Sequence, residues 1–382
     1  MDKKSKALRI FHLHPTQGVQ ELDQLPTAPL EPGQPGFYWV ACTRVALAQQ
    51  IPALQQMLQR CTGQPLVDLH VSDLLNAQLP SRYDYTAHYD LLVFRRLASG
   101  QGSPQADGPA LRRSGPPALR RIDTTPLGFA LFEQLLLSVH PEDCSLRDQY
   151  AERLLSAQPT DPREGQGAGV IGAGVRLPSS SADLMLRALN QVVDGFLELR
   201  RELSRQLDHW QAELLRPNAR FTNWSALLQA RLALHELDDV CEDQHSAVQD
   251  WYEALEDGDA YEAGAARELD LLRVRSRDVL EHIERVAHHV RRLEHSVETA
   301  VQMHFSVQSH RTNDIMRTLT ALTAVFLPLN LMAGIFGMNF QVIPLTPLAQ
   351  GFWWILTAMA GMALLLLLVF WRNRYLALSS RS

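Results

Sequence analysis

"TLTALTAVFLPLNLMAGIFGMNFQVIPLTPLAQGFWWILTAMAGMALLLLLVFW" (318–371) runs for 54 residues without one Asp, Glu, Lys, Arg or His. Soluble chains rarely leave so long a stretch uncharged. One membrane helix needs about 20 apolar residues, so this run suits two spans and a short turn. The first span is expected at about 316–336 and the second at about 351–371, with an outer loop at 337–350. Aromatics stand at both ends of the second, in "GFWW" and "VFW", as an interfacial belt requires. Between the spans lies Gly337-Met338-Asn339, a small polar turn.

Flanking charge sets the orientation. Arg311 and Arg317 precede the first span, and Arg372, Arg374 and Arg381 follow the second; the turn has no charge. Both termini are expected in the cytoplasm, with "GMNFQVIPLTPLAQ" outside. The basic start "MDKKSKALRIFHLHP" is followed by no apolar core of a signal peptide. The net charge of −6 gives no reason to expect nucleic acid as a partner. Cys42, Cys61, Cys144 and Cys241 form no CxxC, which speaks against a disulfide framework or structural zinc and fits a reducing compartment.

Upstream of the spans, residues 1–178 read as a cytosolic α/β domain. "GFYWVACTRV" (36–45) and "YDLLVFRRLA" (89–98) are strand-like, while "TPLGFALFEQLLLSVH" (125–140) fits a helix or a buried strand equally. Segments 99–117 and 158–181 have loop composition. The glycines around 165–174 have no following Gly-Lys-Ser/Thr and are read as a connection, not a phosphate loop. Residues 179–262 read as a helical hairpin broken near Pro217, and 263–382 as a stalk helix running into the membrane hairpin and a short tail. Val279, Ile283, Val286, Val290, Leu293 and Val297 step by 4 and 3, a heptad seam. Unbroken to about 336, the stalk helix would reach on the order of 100 Å at ~1.5 Å per residue, and its length implies self-association. The fold class expected is an α+β cytosolic domain, long α-helices and two C-terminal transmembrane helices in a funnel-shaped homo-oligomer.

On a helical wheel, Asn313, Met316, Thr320, Thr323, Leu327, Asn330, Gly334 and Gly337 fall within a sector of about 120°. Such a face lines a wet path or makes hydrogen bonds between helices; the wheel leaves both open. Pro328 frees the carbonyl of Ala324, which in a membrane wants a neighbour or water. Neutral oxygens can accept hydrogen bonds from the water shell of a divalent ion without stripping it. Mg²⁺, which dehydrates reluctantly, is the natural candidate.

These residues resemble a known family. "LPLNLMAGIFGMNF" (327–340), two terminal spans and a long preceding helix are similar to the CorA family of magnesium and divalent-cation channels, within the two-span GxN superfamily. "NDIMRTLT" (313–320), "SRDVLEH" (276–282), "VVDGFLELRREL" (192–203), 65–94 and 135–155 extend the likeness over nearly the whole chain. The resemblance implies a homopentamer in a cell (inner) membrane that passes Mg²⁺, with Co²⁺ and Ni²⁺ as further cargo, down its electrochemical gradient. It implies a selectivity ring at Gly337, Met338 and Asn339, and a pore lined by Asn313, Met316, Leu319, Leu327 and Asn330, to which the wheel adds Thr320 and Thr323. Met316 and Leu319 would stand near a hydrophobic constriction. It also implies that Asp278 binds regulatory Mg²⁺ between subunits and closes the pore; its partner carboxylate has no assignment. Two departures stand out. The loop "QVIPLTPLAQ" has none of the acidic residues the family often carries, and "RNRYLALSSRS" is a thin basic tail.

Zinc is the alternative cargo. His282, His288, His289, His295, His304 and His310 crowd the stalk helix, and a related branch moves zinc, though that branch usually departs from the Met retained here as Met338. "HELDDVCEDQH" (235–245) also collects metal-capable groups, or is a solvated acidic face. A poorly conducting scaffold or sensor is a further alternative. No P-loop, nucleophile elbow or HExxH supports an enzyme, and no cofactor beyond the ion is expected.

Overall fold

The computed structural model describes residues 7–14, 17–30, 35–98, 122–143, 145–156, 177–214, 224–257, 263–338 and 351–372. Most of the two loop-like segments, the glycines at 165–174, Pro217, Cys144, Asn339, nearly all of the outer loop and the tail with Arg374 and Arg381 lie outside these residues. The described residues form two compact units, divided within the longest helix after Glu298.

The first unit is built on a seven-stranded mixed sheet. In chain order its elements are β1 (Leu8–His14), β2 (Gly18–Leu22), β3 (Phe37–Thr43), α1 (Arg44–Thr62), α2 (Asp68–Leu75), β4 (Arg82–Tyr85), β5 (Asp90–Leu97), β6 (Thr124–Phe132), β7 (Leu135–His140) and α3 (Ser145–Ser156). The strand order is β2-β1-β3-β7-β6-β5-β4, with β3 and β7 parallel and all other neighbours antiparallel. The stretch 125–140, which periodicity could not assign, is a hairpin of two central strands. From Pro126 to Phe132 and along all of β7, every residue is buried, so no polar face marks a period of two. At Gly128 the strand passes so close to α2 that a Cβ would force the Leu74 side chain to shift.

One face of the sheet packs on α1 and α2 through Ile10, Val40, Leu47, Leu54, Leu91 and Leu137. The side chain of Thr43 caps α1 by accepting from the Ala46 N–H at 3.2 Å, and Gly63 ends the helix at φ 81°. On the other face Trp39 stacks on Phe11 and meets the edge of Tyr150 from α3. The Trp39 indole N–H donates to Ser138 Oγ at 2.8 Å, and Ser138 Oγ lies 2.9 Å from His140 Nε2. Burial, then the guanidinium groups of Arg147 and Arg96, push the His140 imidazole down to about 3.

Three long helices complete the chain's described backbone before the last span: α4 (Ser181–Leu214), α5 (Trp224–Asp257) and α6 (Ala263–Phe336). In the first unit α5 lies on β4 and β5. Trp251 meets the edge of Tyr83, and Gln244 Nε2 donates to the Arg95 carbonyl at 2.7 Å. The heptad seam of α6, from Val279 to Val297, is buried within this one chain. Its neighbours are the chain's own helices. Ser204 of α4 bonds His289, and Asp238 of α5 takes Arg291 through both oxygens at 2.9 Å. The seam therefore does not itself call for a second copy.

Asp183 at the start of α4 fixes the α4–α6 contact. It is fully buried, pairs with Arg187 at 2.9 Å and Arg275 at 2.6 Å, and accepts from the Ser179 N–H at 3.0 Å. A buried carboxylate so surrounded is held by several donors at once, and removing it would take away the anion that Arg187 and Arg275 share.

His140 predicts an acid sensitivity with a definite sign. Its folded value lies below the unfolded 6.5, so the unfolded chain binds the extra proton. Stability should be complete above pH 6.5 and fall as pH drops toward 3, by about 1.4 kcal/mol per pH unit across the window. His140→Gln should flatten this dependence, read as the urea midpoint against pH by circular dichroism.

Candidate ion path and metal-binding residues

The second unit holds α6 beyond Glu298 and α7 (Gly351–Arg372). Both helices are long and apolar enough to cross a membrane. The α6 helix ends at Phe336 and α7 starts at Gly351, so the described part of the uncharged stretch is two helices. Helix is the form such a stretch can take in lipid, because it satisfies its own backbone. It continues through Pro328.

Each helix has one shielded stripe. On α6 it is Ala321, Ala324, Val325, Pro328, Leu329, Met332 and Phe336, with Ala321 only 2% exposed. On α7 it is Ile355, Met359, Ala363, Leu366 and Phe370. At about 100° per residue, the α6 stripe is centred about 160° from Asn313, Met316, Leu319, Thr320, Thr323, Leu327 and Asn330. All seven of these residues are exposed in the single chain. The polar positions thus share a face turned away from the one the hairpin shields. Residues that only tied α6 to its own chain would fall on the shielded side.

The two threonines of this face have a defined hydrogen-bond state. Thr320 Oγ1 donates to the Met316 carbonyl and Thr323 Oγ1 to the Leu319 carbonyl, each at 2.8 Å. Thr318 and Thr357 bond their helices in the same way, so the bond is a general solution for a membrane hydroxyl. Its consequence depends on the face. With the hydrogen committed inward, each hydroxyl oxygen presents lone pairs outward and acts as an acceptor.

At the end of α6, the Gly337 N–H donates to the Ala333 carbonyl at 2.9 Å, and the Met338 N–H reaches the Ile335 carbonyl at 3.4 Å. A Cβ at Gly337 would stand 2.9 Å from the Ala333 oxygen, too close for an ordinary side chain. The glycine lets the chain turn tightly as the helix ends.

Asp278 lies in the first unit on α6, half-exposed at 49%. Its Oδ2 accepts from Asn190 Nδ2 of α4 at 3.2 Å, and its Oδ1 lies 3.9 Å from His282 Nε2. Asn190 stands 88 positions away in sequence, and no sequence pattern flags it. Among the described residues no group of three or more His, Cys, Asp and Glu is assembled for a metal. The acidic run 235–245 is used for packing instead. Asp238 holds Arg291, Gln244 holds β5, and His245 Nε2 lies 3.2 Å from Glu284. Burial, more than neighbouring Asp238, pushes the Cys241 thiol up to about 12.

The comparisons with known proteins follow the same outline. The family described as CorA-like Mg²⁺ transporter protein matches residues 35–372. The cobalt/magnesium transport protein CorA of Thermotoga maritima is 31% identical over 100 residues, 26% of this chain and 28% of that protein. Its counterpart from Methanocaldococcus jannaschii is 32% identical over 71 residues, 19% of this chain and 22% of that one. These alignments span about a quarter of the relatives' length. The complete structure of the M. jannaschii CorA magnesium transporter has a TM-score of 0.66 at 16% identity, covering 95% of this chain and 97% of that one. Full-length CmaX has a TM-score of 0.59 at 19% identity, covering 98% and 100%. At these identities the two structures show a shared fold: an α+β domain, long helices and two C-terminal candidate spans.

The two faces of α6 make a prediction that needs no substrate. In membranes, a cysteine replacing Thr323 should react with a water-soluble thiol reagent, whereas one replacing Val325 should react at least about tenfold more slowly, against a background with the four native cysteines replaced. Equal rates would remove the distinction between the faces.

Proposed function

The chain belongs to the CorA-like Mg²⁺ transporter family, and from that premise we propose that it is a passive channel for hydrated divalent cations, Mg²⁺ first among them. The observation that carries the reading is the neutral polar stripe of α6, exposed and turned away from the shielded face. In a homopentamer with cytoplasmic termini in the cell's inner membrane, five such stripes would enclose one funnel-shaped path.

The chemistry of that path follows from its oxygens. A hydrated Mg²⁺ presents outward-pointing hydrogens and gives up its waters reluctantly. Asn313 and Asn330 amide oxygens and the Thr320 and Thr323 hydroxyls can accept from those waters. A carboxylate would hold the ion harder, whereas conduction needs binding weak enough to release. Met316 and Leu319 would narrow the path with apolar groups that gate by dewetting. Gly337 and Met338 would shape the outer turn, and Asn339 amides would form the ring that receives the ion. The membrane potential supplies the drive. A divalent ion entering a negative interior gains about 4.6 kcal/mol per 100 mV, twice the value for one charge. The uncharged loop "QVIPLTPLAQ" offers no electrostatic attraction, so capture at the mouth should depend little on ionic strength.

Asp278 gives the channel a feedback element in this reading. Half-exposed and bonded to one amide, its carboxylate is accessible to a cation shared with a second copy. Mg²⁺ bound there when the cytosol is replete would hold the stalks in the closed arrangement.

Two outcomes test the proposal in proteoliposomes. Asn339→Ala should cut Mg²⁺ flux by at least about tenfold, the scale of one charge-assisted hydrogen bond of about 1.5 kcal/mol. Flux equal to wild type would sink the ring, and zinc flux without magnesium flux would replace the cargo. Asp278→Ala should raise the Mg²⁺ concentration for half-inhibition by about tenfold or more. Unchanged inhibition would remove its regulatory role.

A further inference from the structure

The contact of α4 with α6 includes a histidine whose protons can all be placed. Arg292 Nη2 lies 2.8 Å from His289 Nδ1, both on α6, and Ser204 Oγ of α4 lies 2.7 Å from His289 Nε2. A guanidinium only donates, so Nδ1 is the bare nitrogen. The neutral ring then carries its hydrogen on Nε2 and gives it to Ser204 Oγ. Ser204 passes its own hydrogen to the Arg200 carbonyl at 3.0 Å, one turn back on α4. From Arg292 through His289 and Ser204 to Arg200, each donor meets an acceptor.

A second proton on the ring has only Nδ1 to occupy. There it would set an N–H against the guanidinium that now donates to that atom, and the Arg292 bond would break. The charged neighbours oppose it as well. On α4, Arg200 and Arg201 stand one turn before Ser204, and Asp208 one turn after. On α6, Arg285 and Arg292 stand one turn to either side of His289, with His288 beside it. Arg285 is engaged by Glu281 at 2.6 Å. Asp238 of α5 holds Arg291, which lies about 160° round α6 from His289. Burial first, then Arg200, Arg292 and His288, push the His289 imidazole below its usual 6.5.

We infer that His289, Ser204 and Arg292 form a proton-released clasp between α4 and α6, closed by the neutral imidazole and opened when Nδ1 takes a proton. The closed ring binds a proton less readily than a released one. The clasp is therefore complete above pH 6.5 and weakens as pH falls below it. A single proton limits the change in the opening equilibrium to about tenfold per pH unit. The same pair of helices brings Asn190 to Asp278. Resting on the reading of Asp278 as the regulatory carboxylate, the clasp makes that regulation pH-dependent: acid loosens α4 from α6 and weakens inhibition by Mg²⁺.

The test uses the full chain in detergent. Amide hydrogen exchange of α4 around Ser204, corrected for the intrinsic pH dependence of exchange, should quicken from pH 7.5 to pH 5.0, by at most about tenfold per pH unit. The amide of His289→Gln can donate to Ser204 and accept from Arg292 but takes no proton, so this variant should stay slow at both ends. Arg292→Gln keeps a donor for Nδ1 and removes a cation, so its acid response should level off at a higher pH and reach a smaller total. Wild-type exchange that does not change with pH would overturn the clasp. So would an undiminished acid response in His289→Gln, the result expected of a general loosening, or one in Arg292→Gln as large as in wild type. In proteoliposomes, the Mg²⁺ concentration for half-inhibition at pH 5.0 should be about threefold or more higher in wild type than in His289→Gln, and equal at pH 7.5. Equal values at pH 5.0 beside an acid-released α4 would overturn the link to Asp278 and leave the clasp standing.

Discussion

One helix has to satisfy two solvents. Through Val297, α6 is part of the first unit, with its α/β sheet, and buries a Val/Ile/Leu seam. Beyond it the same backbone becomes an uncharged span in which no residue can borrow a hydrogen bond from lipid. An unbroken α-helix answers both demands, because its backbone bonds are internal wherever it lies. Most other features depend on that continuity: the stripe on the span, the glycine that ends it, and the placement of Asp278 and His282 on the same element as the candidate path.

The neutrality of the span is as informative as its length. A charged ring would attract a cation strongly and also hold it. Amide and hydroxyl oxygens interact with the water shell, at a cost closer to exchanging one hydrogen bond for another. The inward bonds of Thr320 and Thr323 make those hydroxyls tolerable in a membrane and leave their oxygens as acceptors. The shielded stripe around Ala321 and Val325 gives the helix a back, so its polar face has one direction to point.

The metal-capable side chains of the first unit show how packing selects among chemically similar groups. In 235–245, acidic residues and histidine are spent on holding α5 to α6. The buried thiol of Cys241 stays protonated and is a poor ligand. His289 is saturated by Ser204 and Arg292. The contact of α4 with α6 also brings Asn190 to Asp278 and His282. That contact is itself fixed by Asp183 between Arg187 and Arg275.

The sequence by itself determined the two apolar helices, the long stalk with its seam, the strands at 36–45 and 89–98, and the family, because these depend on local composition and period. It left 125–140 undecided, since a strand buried on both faces has no period to read. The seam it marked is buried against the chain's own α4 and α5. Tertiary structure alone decided which face of α6 is shielded, and which amide of α4 meets Asp278 and His282. The reason is physical: burial and proton position are set by groups distant in sequence, such as Asn190 and Asp278, and a pattern along one helix contains no record of them.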